Sequence, residues 1–444
     1  MSTCDKRSEP GIERAVMTAD HTTGVDLLDA ALRHRARLSN VVFIAVTGSC
    51  GKTTTKNLIA SVLAGRRRGS KSSGSNNCGI DVVKDVLAVH HDDDFFVQEL
   101  GAWGQGTLDA GINLIRPHIA VVTNLRNDHY SAFHGPRGAQ AEKAKLVVSL
   151  PSAGTAVLNW DDQYVRELAG RTSARILSVG RNSQAQLRAL DVTSNWPDRL
   201  SFQAVHGRER VRVRTRLLGE HLVGSALSAL AVGLDFGLSL EEAAAALQAA
   251  EPTPRRMMPT AHPDGVTFIR DDFKATADSV PEVLAFMRQA TAPRKVAVFG
   301  RISDFPGRSR RVYTEVAEQA TAVLDTVVFV GDRAIDLWGK QHDAAETAQL
   351  QLRHRLGFTE IHRDHSARPP GDMFVFESVW RASRFLSSFL KAGDLVLLKG
   401  SGPADHLERI MLSRDKPVSC WLSRCGRVHC CDVCELLTTP RQQH

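Results

Sequence analysis

From Val41 the chain alternates between blocks of consecutive apolar residues and segments whose apolar positions recur every three or four. VVFIAV (41–46), FFVQEL (95–100) and IAVVTN (119–124) read as strands buried on both faces, and KNLIASVLAG (56–65) reads as a helix between the first two. Strands and helices in that order predict a parallel sheet covered on both sides. An Arg-rich stretch with strand-like alternation, VRVRTRLL (211–218), precedes two Ala/Leu-rich helical segments at 224–237 and 239–250. In EPTPRRMMP (251–259) prolines interrupt the helical pattern, which marks a linker. The alternation then restarts with VTFIRDD (266–272), KVAVFG (295–300), TVVFVG (326–331) and DLVLLKG (394–400), a second open α/β sheet whose boundary is expected near Arg256 to Thr260. The expected layout is a polar leader (1–38) with one short helical pattern, a central domain (39–256), a C-terminal domain (257–412) and a Cys-rich tail (413–444).

Composition changes this picture little. The 444 residues are 43% hydrophobic and 24% charged, ordinary globular usage and enough chain for two or three cores. No apolar run approaches the roughly 18 to 20 residues of a membrane span, and the first residues, MSTCDKRSEP, are polar, so a cytoplasmic location and no membrane partner are expected. The net charge of +7 comes from arginines scattered along the chain, not gathered into stripes with interleaved aromatics, so nucleic acid is not an expected partner. The run Arg66-Arg67-Arg68 reads as a solvated helix end.

The first strand ends in Thr47-Gly48-Ser49-Cys50-Gly51-Lys52-Thr53-Thr54-Thr55 and a helix follows. A Gly-rich turn there can cradle phosphates: backbone N–H groups and the helix N-terminus face the anion, Lys52 adds a point charge, and Thr53 can reach a magnesium ion. The spacing is the short Gly-x-x-Gly-Lys-Thr form, not the general P-loop pattern. Glu99 ends the strand FFVQEL, where ligands of open sheets collect, and can hold magnesium; His129, just past IAVVTN, can complete a second metal position.

With those residues in place, TGSCGKTTT resembles the ATP site of the Mur ligases and of their relatives that make folylpolyglutamate and cyanophycin. SSGSNNCGI (72–80), QELGAWGQG (98–106), TNLRNDH (123–129) and EKAKLV (142–147) resemble successive segments of that family, closest to its D-alanyl-D-alanine-adding, MurF-like branch. LLGEHLVGSALSA, PTPRRMM, IRDDFKAT and LLKGSG follow in family order, so the resemblance covers about residues 41 to 412. It implies an ATP-dependent ligase with a P-loop central domain and a Rossmann-like C-terminal domain. A carboxylate would take the γ-phosphate of ATP, and an amine, an amino acid or peptide, would attack the resulting acyl phosphate. Lys52, Glu99, His129 and Lys145 would be catalytic, with Lys145 as the family lysine that becomes a carbamate and Lys143 nearer the surface. Gly48, Ser49, Cys50, Gly51, Lys52, Thr53, Thr54, Asn124, Arg256 and Asp271 would bind ATP, with Arg256 on the phosphates and Asp271 on the ribose. Lys399 and Ser401 would lie near the amine substrate. Thr53, Glu99 and His129 would hold magnesium.

Three departures stand out. His221-Leu222 and Ser225 replace a His-Asn and a second Asn; Phe273-Lys274-Ala275-Thr276 replaces a Tyr-Asn-Ala-Asn segment; and only about 40 residues precede the loop where the MurF-like branch has a UDP-sugar domain. The expectation is therefore a different carboxylate substrate, or one presented by a partner protein. Alternative readings are a non-catalytic or ATPase scaffold subunit, and a polyglutamate-type or amidating ligase.

CWLSRCGRVHCCDVC (420–434) packs five cysteines and His429 into a polar segment that could not fold alone. Four thiolates around a structural zinc ion would fix it, with Cys420, Cys425, Cys431 and Cys434 as the preferred ligands and Cys430 or His429 as substitutes, and such a tail could bind a protein partner.

Overall fold

The computed structural model describes residues 21–338 and 371–439, apart from 76, 424, 428 and 429; His429 therefore lies outside the described residues. The chain forms two compact units that divide between Thr253 and Pro254, with the short segment Asn195–Pro197 grouped with the second.

In the first unit, nine strands form one sheet: β1 (Val42–Thr47), β2 (Gly69–Lys71), β3 (Phe95–Glu99), β4 (Ile119–Val122), β5 (Thr155–Asn159), β6 (Arg175–Gly180), β7 (Leu187–Thr193), β8 (Ser201–His206) and β9 (Glu209–Arg214). Their order is β2-β3-β1-β4-β5-β6-β7-β8-β9. Pairing is parallel from β2 to β7 and antiparallel through β8 and β9. The three apolar runs read as buried strands are β3, β1 and β4, side by side in the interior of the sheet, and the Arg-rich stretch becomes the edge strand β9, where outward charges discourage pairing with another chain. Because Val46 is in register with Glu99, and Thr47 with Val122, the loops after all three central strands leave from the same end of the sheet.

One sheet face carries Phe43, Ala45, Phe96, Ala120 and Val122, and α1 (His21–Arg37) packs against it through Leu27, Leu28, Ala31 and Leu32. The segment read as a polar leader thus supplies a core helix. The helix after the phosphate loop, α2 (Lys52–Ala64), packs against α7 (Val223–Asp235). Between them in sequence lie α3 (Gly79–Leu87), α4 (Asp109–Ile115), the short α5 (Tyr130–Phe133) and α6 (Pro136–Val148).

The second unit is a six-stranded sheet of β10 (Met258–Ala261), β11 (Thr267–Asp271), β12 (Arg294–Phe299), β13 (Thr326–Val330), β14 (Asp372–Phe376) and β15 (Asp394–Lys399), in the order β10-β11-β15-β12-β13-β14. Only β10 runs antiparallel to its neighbour. One face packs Phe268, Val296, Val328, Val396 and Leu398 against α8 (Val379–Phe389) and α9 (Glu408–Asp415). Cys431 and Leu437 belong to the same apolar cluster, with Val418 and Trp421 against it. The tail is therefore docked on the sheet through its few apolar side chains, where the sequence suggested a self-contained metal knot.

Candidate active site

The phosphate loop is shaped by two glycines. Gly48 has φ 142° and a Cβ there would stand 2.0 Å from Thr123 Oγ1; Gly51, the N-cap of α2, has φ 80°. Any side chain at Gly48 would push β4's outgoing loop away, and that loop is what braces the turn. Ser49 N–H donates to Asn124 O at 2.8 Å, Cys50 N–H to Asn124 Oδ1 at 2.8 Å, and Thr123 Oγ1 to Cys50 O at 2.6 Å. Asn124, expected to bind the nucleotide, thus clamps the loop. Lys52 Nζ donates to Gly48 O at 2.9 Å and Ser49 O at 3.2 Å, curling its charge over the turn. Thr54 is buried and Thr55 Oγ1 donates to Ser225 Oγ at 2.9 Å, so Ser225 ties α2 to α7 where the family pattern has asparagine.

Thr53, on the first turn of α2, donates to Glu99 Oε2 at 2.8 Å, and Asn77 Nδ2 donates to Glu99 Oε1 at 2.8 Å. Glu99 is 2% exposed. Its hydrogen-bond partners are neutral, so its charge sits in a low-dielectric setting that a cation would relieve; Thr53 and Glu99 offer the hard oxygen atoms magnesium takes. Lys56, whose charge Glu99 attracts, donates instead to Ser72 O (2.8 Å) and Gly74 O (2.6 Å), and its burial lowers its pKa against the opposing pull of Glu99.

The lysine helix α6 overturns an expectation. Lys143 is fully buried: its Nζ lies 3.2 Å from Ser49 Oγ and 3.4 Å from Asp128 Oδ2, and Asp128 Oδ1 is 3.7 Å from His129 Nε2. Burial pulls Lys143 down to about 8, with Asp128 opposing. Lys145, the residue assigned to the carbamate, is half-exposed and pairs with Asp109 Oδ2 (2.8 Å) and Glu142 Oε2 (2.9 Å). Partial burial works to lower its pKa, but those two carboxylates outweigh it and the value is raised. Their burial is the reverse of that expected because a helix repeats every 3.6 residues: Lys143 shares the inward face with Ala139, Leu146 and Val147, and Lys145 points off it. Glu142, also buried, accepts from Gly106 N–H (2.9 Å) and Leu108 N–H (2.8 Å), so the same helix pins the loop that follows Glu99. A line of contacts, Ser49–Lys143–Asp128–His129, thereby runs from the phosphate loop to the predicted histidine.

In the second unit Lys399 Nζ donates to Asp271 Oδ2 at 2.5 Å. Asp271 and Lys399 are register partners at the ends of the parallel strands β11 and β15, so two residues expected to serve different substrates share one ion pair. Arg256 lies 4.0 Å over the Phe273 ring, whereas Arg255 is buried, with φ 62°, and donates to Asp272 O at 2.8 Å. Ser401 N–H donates to Asp405 Oδ2 at 2.8 Å. In the tail Cys420 and Cys431 are buried and Cys425 and Cys434 half-buried, and the four thiols do not gather at one point; the group close enough to share an ion is His406, Glu408 and Cys431.

Residues 46–233 match the Mur ligase middle domain and residues 255–402 the Mur ligase glutamate ligase domain. The UDP-N-acetylmuramoyl-tripeptide–D-alanyl-D-alanine ligase of Mycobacterium tuberculosis is 32% identical over 371 residues, which is 82% of this chain and 71% of that enzyme. This chain belongs to the Mur ligase family. Its Escherichia coli relative of the same name is 27% identical over 296 residues, 66% of this chain and 65% of that enzyme. Among solved structures, MurF from Acinetobacter baumannii superposes with a TM-score of 0.74 at 24% identity, covering 89% of this chain and 81% of that one. MurF from Thermotoga maritima in complex with ADP gives 0.71 at 20% identity, covering 90% and 87%. The chain is a MurF-like, ATP-dependent ligase that forms an amide bond, with ATP and magnesium as its cofactors and small-molecule and peptide substrates. An enzyme, not a scaffold, is what the family carries. Among the described residues no helix is long and apolar enough to cross a membrane.

Proposed function

We propose that this Mur ligase joins an amino-acid or peptide amine to a peptidyl carboxylate of the muramyl-peptide class in the cytoplasm, using the first unit's loop and α6 as its phosphate-transfer machinery. The observation that carries the phosphate-transfer chemistry is the Thr53–Glu99 hydrogen bond at 2.8 Å, which couples the start of the phosphate-loop helix to a buried carboxylate on the neighbouring parallel strand, and the likeness to the Mycobacterium tuberculosis and Escherichia coli ligases supports the muramyl-peptide class over the altered substrate that the sequence departures suggested. A substrate carboxylate oxygen attacks the γ-phosphorus of ATP, ADP leaves, and an acyl phosphate forms. Lys52 and the N-terminus of α2 neutralise charge on the transferring group, and the rigid loop fixes its direction. The amine then attacks the acyl carbon, loses a proton, and phosphate departs as the amide forms. Thr53 and Glu99, with His129 as a further ligand, would hold magnesium, which would supply charge neutralisation at the phosphates.

Lys143 takes the role the resemblance gave to Lys145. Its neutral Nζ attacks carbon dioxide and sheds a proton, giving an anionic carbamate beside Ser49 and Asp128. Arg256 on the nucleotide phosphates, and Lys399 and Ser401 near the amine, remain part of the reading; Asp271 acts with Lys399 as one unit. A zinc ion in the tail is part of it too, on a donor set other than four cysteines.

The deciding assay follows ADP release with UDP-muramyl tripeptide and D-alanyl-D-alanine, with Lys52→Ala as the blank. Turnover above the blank with both substrates present supports the muramyl-peptide reading. Turnover only with some other carboxylate would overturn it and favour the altered substrate expected from the sequence.

A further inference from the structure

His406, Glu408 and Cys431 converge at a point the ligase chemistry does not use. His406 precedes α9 with φ 51°, Glu408 is the first residue of α9, and Cys431 arrives from the tail. His406 Nδ1 lies 3.1 Å from Glu408 Oε1 and 3.4 Å from Cys431 Sγ. The Cys431 N–H donates to Glu408 Oε1 at 3.0 Å, which fixes the tail against the helix. The three residues are 1%, 0% and 6% exposed.

One nitrogen faces both the carboxylate and the sulfur. Carrying at most one proton, Nδ1 cannot donate to both, and a nucleophile–base–acid relay would instead use the two ring nitrogens on opposite sides. His406 Nε2 and Glu408 Oε2 are buried with no hydrogen-bond partner; the nearest cation to that oxygen is Arg255 Nη2 at 3.7 Å. Two buried polar atoms left unmet, beside a nitrogen, a sulfur and a carboxylate close enough to share one ion, are an arrangement a metal ion resolves, the thiol proton leaving as the ion binds. The spacing also fits. With Zn–N of about 2.0 Å, Zn–O of about 2.0 Å and Zn–S of about 2.3 Å, a tetrahedral ion has N-to-S and N-to-O edges of about 3.5 Å and about 3.3 Å. Imidazole, thiolate and carboxylate together suit zinc better than the hard cations that take oxygen alone.

We propose that His406, Glu408 and Cys431 form a structural zinc site that fastens the C-terminal tail to the second unit. The ion ties two residues of the turn into α9 to one thiol 23 residues further along the chain. It stands apart from the ATP chemistry, so its failure and that of the ligase reading show up in different measurements.

The full-length protein, purified without chelators, is expected to hold about one zinc per chain by elemental analysis. Replacement by cobalt should give visible d–d bands and a near-ultraviolet thiolate-to-cobalt band. Cys431→Ser should abolish the thiolate band, and both Cys431→Ser and His406→Gln should weaken zinc retention against a competing chelator by at least about tenfold. Cys425→Ser and Cys434→Ser should leave retention and spectrum unchanged. Circular dichroism checks that each variant folds; should Cys431→Ser fail to, the wild-type cobalt spectrum and His406→Gln decide. Absence of stoichiometric metal would overturn the proposal. So would zinc that survives His406→Gln and is lost in Cys425→Ser or Cys434→Ser, since that is a thiol site within the tail.

Discussion

Replacing Lys143 by methionine should stabilise the protein and disable it at once. The side chain is fully buried, and burial lowers its pKa from 10.5 to about 8 even with Asp128 at 3.4 Å pulling the other way. The unfolded chain therefore binds the proton more tightly than the folded one. Below about pH 8 the folded state carries the full penalty of a buried cation; between about 8 and 10.5 the penalty fades as the folded-state amine titrates first, so this residue makes stability rise with pH in that window. A shift of about 2.5 units at 1.36 kcal/mol each sets an upper value of about 3 kcal/mol at pH 7. The attraction to Asp128 is already inside that balance. Methionine keeps the length and the apolar stem, and Asp128 keeps His129 Nε2 at 3.7 Å where Asp271 would lose its lysine outright, so Lys143→Met should gain about 1 to 3 kcal/mol in urea unfolding at pH 7 in buffer stripped of carbon dioxide, with the gain shrinking toward pH 10. ADP release should fall by about 100-fold or more, the scale of losing one group aimed at developing charge. The lowered pKa also leaves about a quarter of the amine neutral at pH 7.5, against about 0.1% for an ordinary lysine, and the neutral amine is what captures carbon dioxide. Wild-type activity should thus depend on added bicarbonate. Lys145→Met, which removes half-exposed ion pairs, should cost within about 1 kcal/mol and keep most activity. A Lys143→Met protein that is less stable at pH 7, or as active as wild type, refutes this placement, and so does inactivation by Lys145→Met instead.

Lys52→Ala should lower ADP release by at least about 100-fold with little change in melting temperature, because its Nζ serves only the carbonyls of the turn; full activity in that variant would remove the loop from the chemistry. Asn77→Ala takes away the donor to Glu99 Oε1, and a several-fold higher magnesium requirement in initial-rate titrations is expected, with an unchanged requirement counting against Glu99 as the metal carboxylate. Asp271→Asn or Lys399→Met, each alone, should cost about 3 to 5 kcal/mol in denaturant unfolding, and the double variant should recover much of it; strictly additive costs would show that the pair is not coupled.

Strand positions and the phosphate loop could be read from the chain because both are local signals. Runs such as VVFIAV and FFVQEL are too apolar to sit anywhere but in the middle of a covered sheet, and two glycines before Lys52-Thr53 leave the backbone one natural use. Parallel pairing then brings Thr53 to Glu99 without any further information, since β1 and β3 end in register. What escaped was set by direction and by distance in sequence. A two-residue offset on α6 turns a side chain by more than half a circle, so family likeness in EKAKLV could not by itself decide between Lys143 and Lys145. The periodicity of Ala139, Leu146 and Val147 carries that decision, and it points to Lys143.

The same distinction explains the second unit. Nothing near Asp271 announces Lys399, 128 residues away, until β11 and β15 are placed side by side. Spacing among Cys420, Cys425, Cys431 and Cys434 suggested a closed thiol site because those residues are neighbours in the chain. The fold prefers to bury Cys431 and Leu437 in the apolar cluster of the second sheet, since a short tail gains more from joining an existing apolar face than from building its own. Docking in that way carries Cys431 to His406 and Glu408, residues that no tail motif contains. A metal in this tail would therefore be a consequence of where the tail packs, and variants of the apolar anchor Leu437 should loosen the ion as well as the chain.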